Sequence, residues 1–544
     1  MKGYGLSSIL LTALVGGVMA TASGKAGADG DCDESWPMVE HDISGSGDNT
    51  SEHAIGRGRA GRLAVDWTFD DAAAGSPVRP IHATPVIDRD GHAYVGDLAG
   101  TFWAIDANGK LLWSATTLPP TPEMAALSPT IDGPPTATII MGSAAIAAHR
   151  PYVVFADANG RVYARDRATG KAIWTVTGLD DNPLGGVAGN AMSIVGDTIL
   201  VGMSSLENYA FVLQQGGLSI SCCSHRGGVV ALDLDTGAVR WRYDTVEAAQ
   251  PLPASQAPFT YGPSGADVWS QPTYDPESDT VYITTGQNLS PTADGKSTSQ
   301  TDAFVAIDFK TGKAKWVHQV TQGDIWSIGV PNPNPVTGQP VDMDIGDSPK
   351  IYRLPDGHKV VAAGQKDGRY HVLDAATGAV VHTTQVVAPR NDLGGFQTGG
   401  AVGEGSAFQH GLNATAGFDG CNTGLCPYQG FDGVVEGLSL DGTTTKWSVK
   451  IPGSPLLGGV AVADGVVYFQ SPVEEKVPLQ DAPLWGLYAV DSQSGAVLKR
   501  MTFPGRAIAS PVVAGGHVYV TSGNGALPAY GSVAQGTLMR LSAH

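Results

Sequence analysis

One repeated unit constrains this chain more than any other feature. It reads as an apolar strand, an Asp-initiated turn ending in Thr, Asn or Ser before Gly, and a second strand that usually carries Trp four residues after the glycine. Copies run from Asp106 to Trp113, Asp166 to Trp174, Asp233 to Trp241, Asp308 to Trp316, Asp374 to His382, Leu438 to Trp447 and Asp491 to Lys499. The turn glycines, from Gly109 through Gly170, Gly237, Gly312, Gly378 and Gly442 to Gly495, are 53 to 75 residues apart. That spacing fits a four-stranded sheet with its loops and is too long for a hairpin.

Further strands, rich in Val, Ile and Tyr, precede the turns: His92–Gly96, Thr198–Gly202, Thr280–Thr284 and His517–Thr521. The last copy is unfinished, because Gly536–Ser542 matches the strand before the turn and the sequence then stops. Gly61–Trp67 has the Trp ending of the missing outer strand with no turn before it. Seven copies and one shared between the two ends make eight. The expected architecture is an all-β, eight-bladed β-propeller over residues 61–544, its last blade closed by an N-terminal strand. The recurring Trp is expected to fill the wedge between neighbouring blades.

Composition agrees with many short strands and tight turns, since Gly (72) and Pro (35) are abundant while 42% of residues remain hydrophobic. A net charge of -19 excludes nonspecific nucleic-acid binding, which needs clustered Lys and Arg. Lys2, the apolar run from Leu6 to Ala22 and the small residues after it read as a secretory signal over residues 1–28, followed by an extension over 29–60. No later stretch has the ~20 apolar residues of a membrane span. A soluble periplasmic or secreted protein is expected.

Some residues are not explained by the repeat. Cys222 and Cys223 are adjacent, and in an exported chain they are expected to oxidise to each other despite Cα atoms only about 3.8 Å apart. Cys421 and Cys426 suit a loop disulfide, and Cys32 is left over. No Cys-x-x-Cys-His occurs, so attached c-type haem is excluded. Trp269, in Asp267-Val-Trp-Ser-Gln-Pro, stands outside the repeat register.

With the Trp-bearing repeats and eight-fold closure, the adjacent cysteines resemble the quinoprotein alcohol dehydrogenases that use pyrroloquinoline quinone. The polyvinyl alcohol dehydrogenase branch is the nearest, and the resemblance covers roughly residues 36 to 544. Val201–Glu207 and Arg226–Asp233 resemble the family's Gly-x-Ser-Gly-x-Glu and Arg-Gly segments. The resemblance implies a metal ligand at Glu207 and cofactor contacts at Ser204, Ser205, Arg226 and the Cys222–Cys223 pair. It implies a flat floor under the quinone at Trp269. Gln287 falls at the family's amide metal ligand with Asn288 beside it, and either oxygen could serve a hard Ca²⁺. Lys366, in Gly-Gln-Lys-Asp-Gly, falls where a cation contacts the reacting quinone carbonyl.

In Gln322-Gly-Asp-Ile-Trp-Ser327 the family carboxylate after Trp is replaced by Ser327. A hydroxyl is no base at neutral pH, so Asp324 is the available substitute. The expectation is an exported dehydrogenase that oxidises an alcohol, with pyrroloquinoline quinone and Ca²⁺ as cofactors and an external cytochrome c or similar acceptor. The alternative is a non-catalytic propeller that binds partners or assists envelope assembly.

Overall fold

The computed structural model describes residues 35–544 apart from 129–133, 188, 190–191, 329, 331–341, 388–394, 415–430, 452–457, 473–483, 505–506, 508 and 524–534. The leader, Cys32, Cys421 and Cys426 therefore lie outside the described residues. The chain is an eight-bladed β-propeller of antiparallel blades. Counted from the axis outwards, blade 1 runs Val86–Ile87, Ala93–Gly96, Thr101–Ile105 and Leu111–Thr116. The pattern repeats from Ala145 in blade 2, Met192 in blade 3, Thr273 in blade 4, Lys350 in blade 5, Ala401 in blade 6, Ala461 in blade 7 and Val512 in blade 8.

Blade 8 takes its outer strand, Leu63–Phe69, from the N-terminal side, and this strand pairs with Thr537–Ala543 in the register Leu63 to Ala543 and Phe69 to Leu538. Pairing both ends of the sequence leaves the ring without an open blade.

The repeat residues join one blade to the next. The Trp113 ring lies on Gly170 of blade 2, where a Cβ would approach it to 2.6 Å, and its Nε1 donates to the Arg167 carbonyl at 2.7 Å. Gly170 is also the residue whose φ of +69° completes the turn. Trp67, Trp174, Trp241, Trp316 and Trp447 donate in the same way to Ala107, Leu234, Phe309, Ala375 and Ser492. Where His382 replaces Trp, the next turn glycine, Gly442, packs on Tyr370 instead. Lys499 occupies the last Trp position and reaches the Gly61 carbonyl at the start of the closing strand.

The innermost strand of each blade faces the axis as an edge, with backbone groups that need partners. Residues 36–49 supply many of them. Trp36 exchanges two backbone bonds with Ile87 of blade 1, and the carbonyls of Pro37, Ile43, Ser44, Ser46 and Gly47 accept from Ile146, Tyr274, Ile351, Val402 and Val462 of blades 2, 4, 5, 6 and 7. Asn49 Nδ2 donates to Val513 of blade 8 at 2.9 Å. Met38 packs with Met192 and Ile194 of blade 3. The segment expected to be a mere extension threads the axis and touches every blade.

Candidate functional site

The second strands of blades 3, 4 and 5, Thr198–Ser205, Thr280–Thr284 and Lys359–Gly364, lead directly into Glu207, Gln287 and Lys366. Antiparallel pairing puts these C-terminal ends beside the starts of the innermost strands, so all three residues lie at one end of the channel.

Glu207 is fully buried and accepts four hydrogen bonds. Its Oε1 takes Asn182 Nδ2 at 2.6 Å and the Ser224 N–H at 2.7 Å. Its Oε2 takes the His225 N–H at 3.0 Å and Ser264 Oγ at 2.8 Å. Burial raises its proton affinity, against the stabilising N–H donors. Cys222 and Cys223, joined through their sulfurs, immediately precede the two N–H donors and are buried with Leu184, Phe211, Phe259 and Leu289. The pair thus tethers the Glu207 clamp to an apolar cluster.

His225 is buried between Asp180, bonded to Nδ1, and Asp267, whose Oδ1 is 3.3 Å from Nε2. Burial pulls its pKa down, but Asp267 and Asp180 outweigh this and hold it at about 9. Asp267 also accepts the Ser205 N–H at 2.9 Å. Burial pushes its own pKa to about 6.

Across the channel end, Lys366 Nζ stands 2.6 Å from both Asp342 and Asp344. Burial lowers its proton affinity, yet the two carboxylates more than reverse this, so it stays charged. It also lies 5.9 Å from the centre of the half-buried Trp269 ring. Glycines crowd that ring: a Cβ at Gly346 would collide with its edge, and one at Gly286 would come within 3.4 Å of its Nε1.

Asp302 and Asp324 are both fully buried. The two side chains face each other, and Asp324 Oδ2 also accepts the Met343 N–H at 2.6 Å. Burial, and then the neighbouring carboxylates, raise both; Asp324 reaches about 8.

The structure thus brings Glu207, Ser205, Trp269, Lys366, Gln287 and Asp324 to one end of the axis. Gln287 donates its N–H to Asp344 at 2.7 Å, and its side chain faces the same carboxylate. Asn288 has its amide engaged elsewhere, donating to the Ser264 carbonyl and accepting from the Thr298 N–H at 2.7 Å. Ser264 is the shared neighbour of Asn288 and Glu207. Ser204 is buried opposite Gly186, Arg226 pairs with Asp244 at 2.6 Å, and Ser327 Oγ donates to the Leu289 carbonyl at 2.8 Å. Sequence reasoning missed His225, Asp302, Asp342 and Asp344. The acidic run Asp342-Met-Asp-Ile-Gly-Asp347 was the available signal.

This donor set suits a hard cation and a flat polar ligand. Among the described residues here, the buried carboxyls of Glu207, Asp267, Asp302, Asp324, Asp342 and Asp344, with Asp180 beside His225, outnumber the buried basic groups His225 and Lys366. Protons or a bound cation must balance that excess. Trp269, with Lys366 5.9 Å from its ring centre, offers a flat aromatic face beside a cation.

An eight-bladed propeller with an acidic, lysine-bearing site at one end of its axis defines a class, and comparison with known proteins gives its family. Residues 36–398 match the family described as glucose/ethanol/alcohol dehydrogenase, beta-propeller domain. The chain belongs to this pyrroloquinoline quinone (PQQ)-dependent dehydrogenase family. Residues 432–539 match the family described as outer membrane protein assembly factor BamB.

A polyvinylalcohol dehydrogenase of Pseudomonas sp is 29% identical over 63% of this chain and 49% of its own length. Another, of Sphingopyxis sp. (strain 113P3), is 26% identical over 85% of this chain and 68% of its own length. The chain thus spans about half the length of the first of these relatives. Quinohemoprotein alcohol dehydrogenase ADHIIG of Pseudomonas putida HK5 superposes with a TM-score of 0.66 at 17% identity, over 94% of this chain and 80% of that one. A europium-containing methanol dehydrogenase gives 0.65 at 17% identity, over 94% and 98%. These two structural likenesses establish the fold.

Proposed function

We propose that this chain is an exported quinoprotein that oxidises an alcohol, with a secondary or polymeric alcohol such as polyvinyl alcohol as substrate and an external cytochrome c or similar protein as electron acceptor. The observation that carries this reading is the convergence of Lys366, Trp269 and Asp324 at one end of the channel, in a chain of the PQQ-dependent family. Bound pyrroloquinoline quinone would supply the hydride acceptor that no side chain can provide. Trp269 offers a face for the ring system, and Lys366 sets positive charge beside it. Glu207 and Gln287, at the ends of neighbouring blades, would supply carboxylate and amide oxygens for Ca²⁺ in exchange for some of their present hydrogen bonds. Asp324, buried against Asp302, takes the alcohol proton. Ser327, with its hydroxyl on the Leu289 carbonyl, orients the segment and accepts no proton.

The test is reconstitution with pyrroloquinoline quinone and Ca²⁺. A bound-quinone spectrum together with alcohol-dependent dye reduction supports the reading, and absence of both overturns it. The non-catalytic reading draws on Ser327 at the family carboxylate position and on the BamB match over residues 432–539. Quinone binding without oxidation of any alcohol would favour it.

A further inference from the structure

Glu40 lies on the axial segment, is buried, and closes a ring of hydrogen bonds with the two wall segments that hold Trp269. Its backbone N–H donates to Gln271 Oε1 at 3.0 Å. The Gln271 N–H donates to Ser348 Oγ at 3.1 Å, and Ser348 Oγ donates back to Glu40 Oε1 at 3.0 Å. Gln271 Nε2 then reaches the Asp42 carbonyl at 2.8 Å. Gln271 is two residues beyond Trp269. Ser348 is two residues beyond Gly346, which abuts the Trp269 ring edge, and four beyond Asp344, which binds Lys366. Gly399 of the adjoining wall packs so closely on the Glu40 carboxyl that a Cβ there would collide with it. The carboxyl therefore has little room to move.

We propose that Glu40 is a positioning residue: it locks the segments 267–271 and 344–348 against each other from the axis and so fixes the plane of the Trp269 indole and its distance from Lys366. The axial segment is then more than a filler of unpaired strand edges. It forms the fixed base on which the candidate cofactor floor rests, and it joins that floor to all the blades. A ring of three hydrogen bonds confines two chain segments better than any one bond, because each donor is oriented by the next. The effect on quinone binding rests on the function proposed above; the effect on the two wall segments does not.

Two measurements separate these. Hydrogen exchange of the quinone-free protein should show faster exchange of peptides covering 267–271 and 344–348 in Glu40→Ala, with the hairpin around Gly170 unchanged. Glu40→Gln, which keeps the acceptor oxygen, should restore parental exchange. Uniformly faster exchange, or none, overturns the proposal even if the parent binds no quinone. In the reconstituted protein, Glu40→Ala should weaken quinone binding about tenfold, and in a Trp269→Phe background the same change should weaken it less than twofold. Equal losses in both backgrounds would mean that Glu40 does not act through Trp269. Ser348→Ala, which opens the same ring from the wall side, should reproduce the exchange pattern if Glu40→Ala fails to fold, and parental exchange in it would overturn the proposal.

Discussion

Lys366 Nζ lies 2.6 Å from Asp344 Oδ2, and Asp344 in turn accepts the backbone N–H of Gln287, so one carboxylate joins blade 5 to blade 4 at the channel end. Lys366 also neutralises Asp342. Its removal leaves two buried carboxylates without their cation. Lys366→Met should therefore cost about 3–5 kcal/mol in denaturant unfolding, the usual range for breaking a buried pair. Lys310→Met, at the solvent-exposed pair with Asp279, should leave the unfolding midpoint nearly unchanged.

Asp324 should carry the proton step. Asp324→Asn should lower turnover by roughly 10²-fold or more while quinone binding survives, and Ser327→Ala should change it far less. A base whose proton affinity is raised by burial and by Asp344 is active only when ionised, so kcat/KM should rise with pH across a range above the usual carboxylate one. A flat pH profile in the parent enzyme would remove Asp324 from the role.

Stability should depend on pH through Glu40. Burial, partly offset by Lys350, raises its pKa from 4.5 to about 7. The folded state then holds a proton that the unfolded chain has lost between those values, so this contribution to stability is complete below pH 4.5 and fades as pH rises towards 7. The loss across the window is about 3 kcal/mol at most. Urea midpoints of Glu40→Gln should fall less between pH 4.5 and 7 than those of the parent.

Two glycines separate packing from backbone strain. Gly170 and Gly178 have φ of +69° and +74°, but only Gly170 faces a neighbour, the Trp113 ring. Gly178→Ala should cost about 1 kcal/mol from strain alone. Gly170→Ala should cost about 1–3 kcal/mol more, because the added methyl forces Trp113 off its seat. Thermal unfolding of both variants gives the comparison.

Ca²⁺ added to chelator-treated protein should raise its melting temperature, because a ligand bound only to the folded state stabilises it by mass action. Glu207→Gln should abolish that rise. An unchanged rise would place the cation elsewhere.

The blades were legible because most repeat a turn glycine and a Trp at nearly fixed spacing. The axial segment was not, since Pro37, Ile43, Ser44, Ser46 and Gly47 meet the blades through backbone carbonyls that any residue can offer. Glu207, Trp269 and Lys366 were singled out through the family resemblance. Asp302 was not, because it is a single Asp before an ordinary strand and becomes distinctive only when the ring brings Asp324 against it. Asn288, the amide next to Gln287, donates its Nδ2 to the Ser264 carbonyl and accepts the Thr298 N–H at Oδ1.

The closing blade inverts the order of synthesis and the order of assembly. Leu63–Phe69 emerges early and must wait for Thr537–Ala543, and the axial residues before it wait for partners in every blade. A ribosome-bound or prematurely terminated chain therefore presents an unpaired edge and an undocked leading segment, both of which chaperones and proteases recognise. Ring closure thus makes one of the longest sequence separations in the fold, Leu63 to Ala543, also the contact on which the last blade depends.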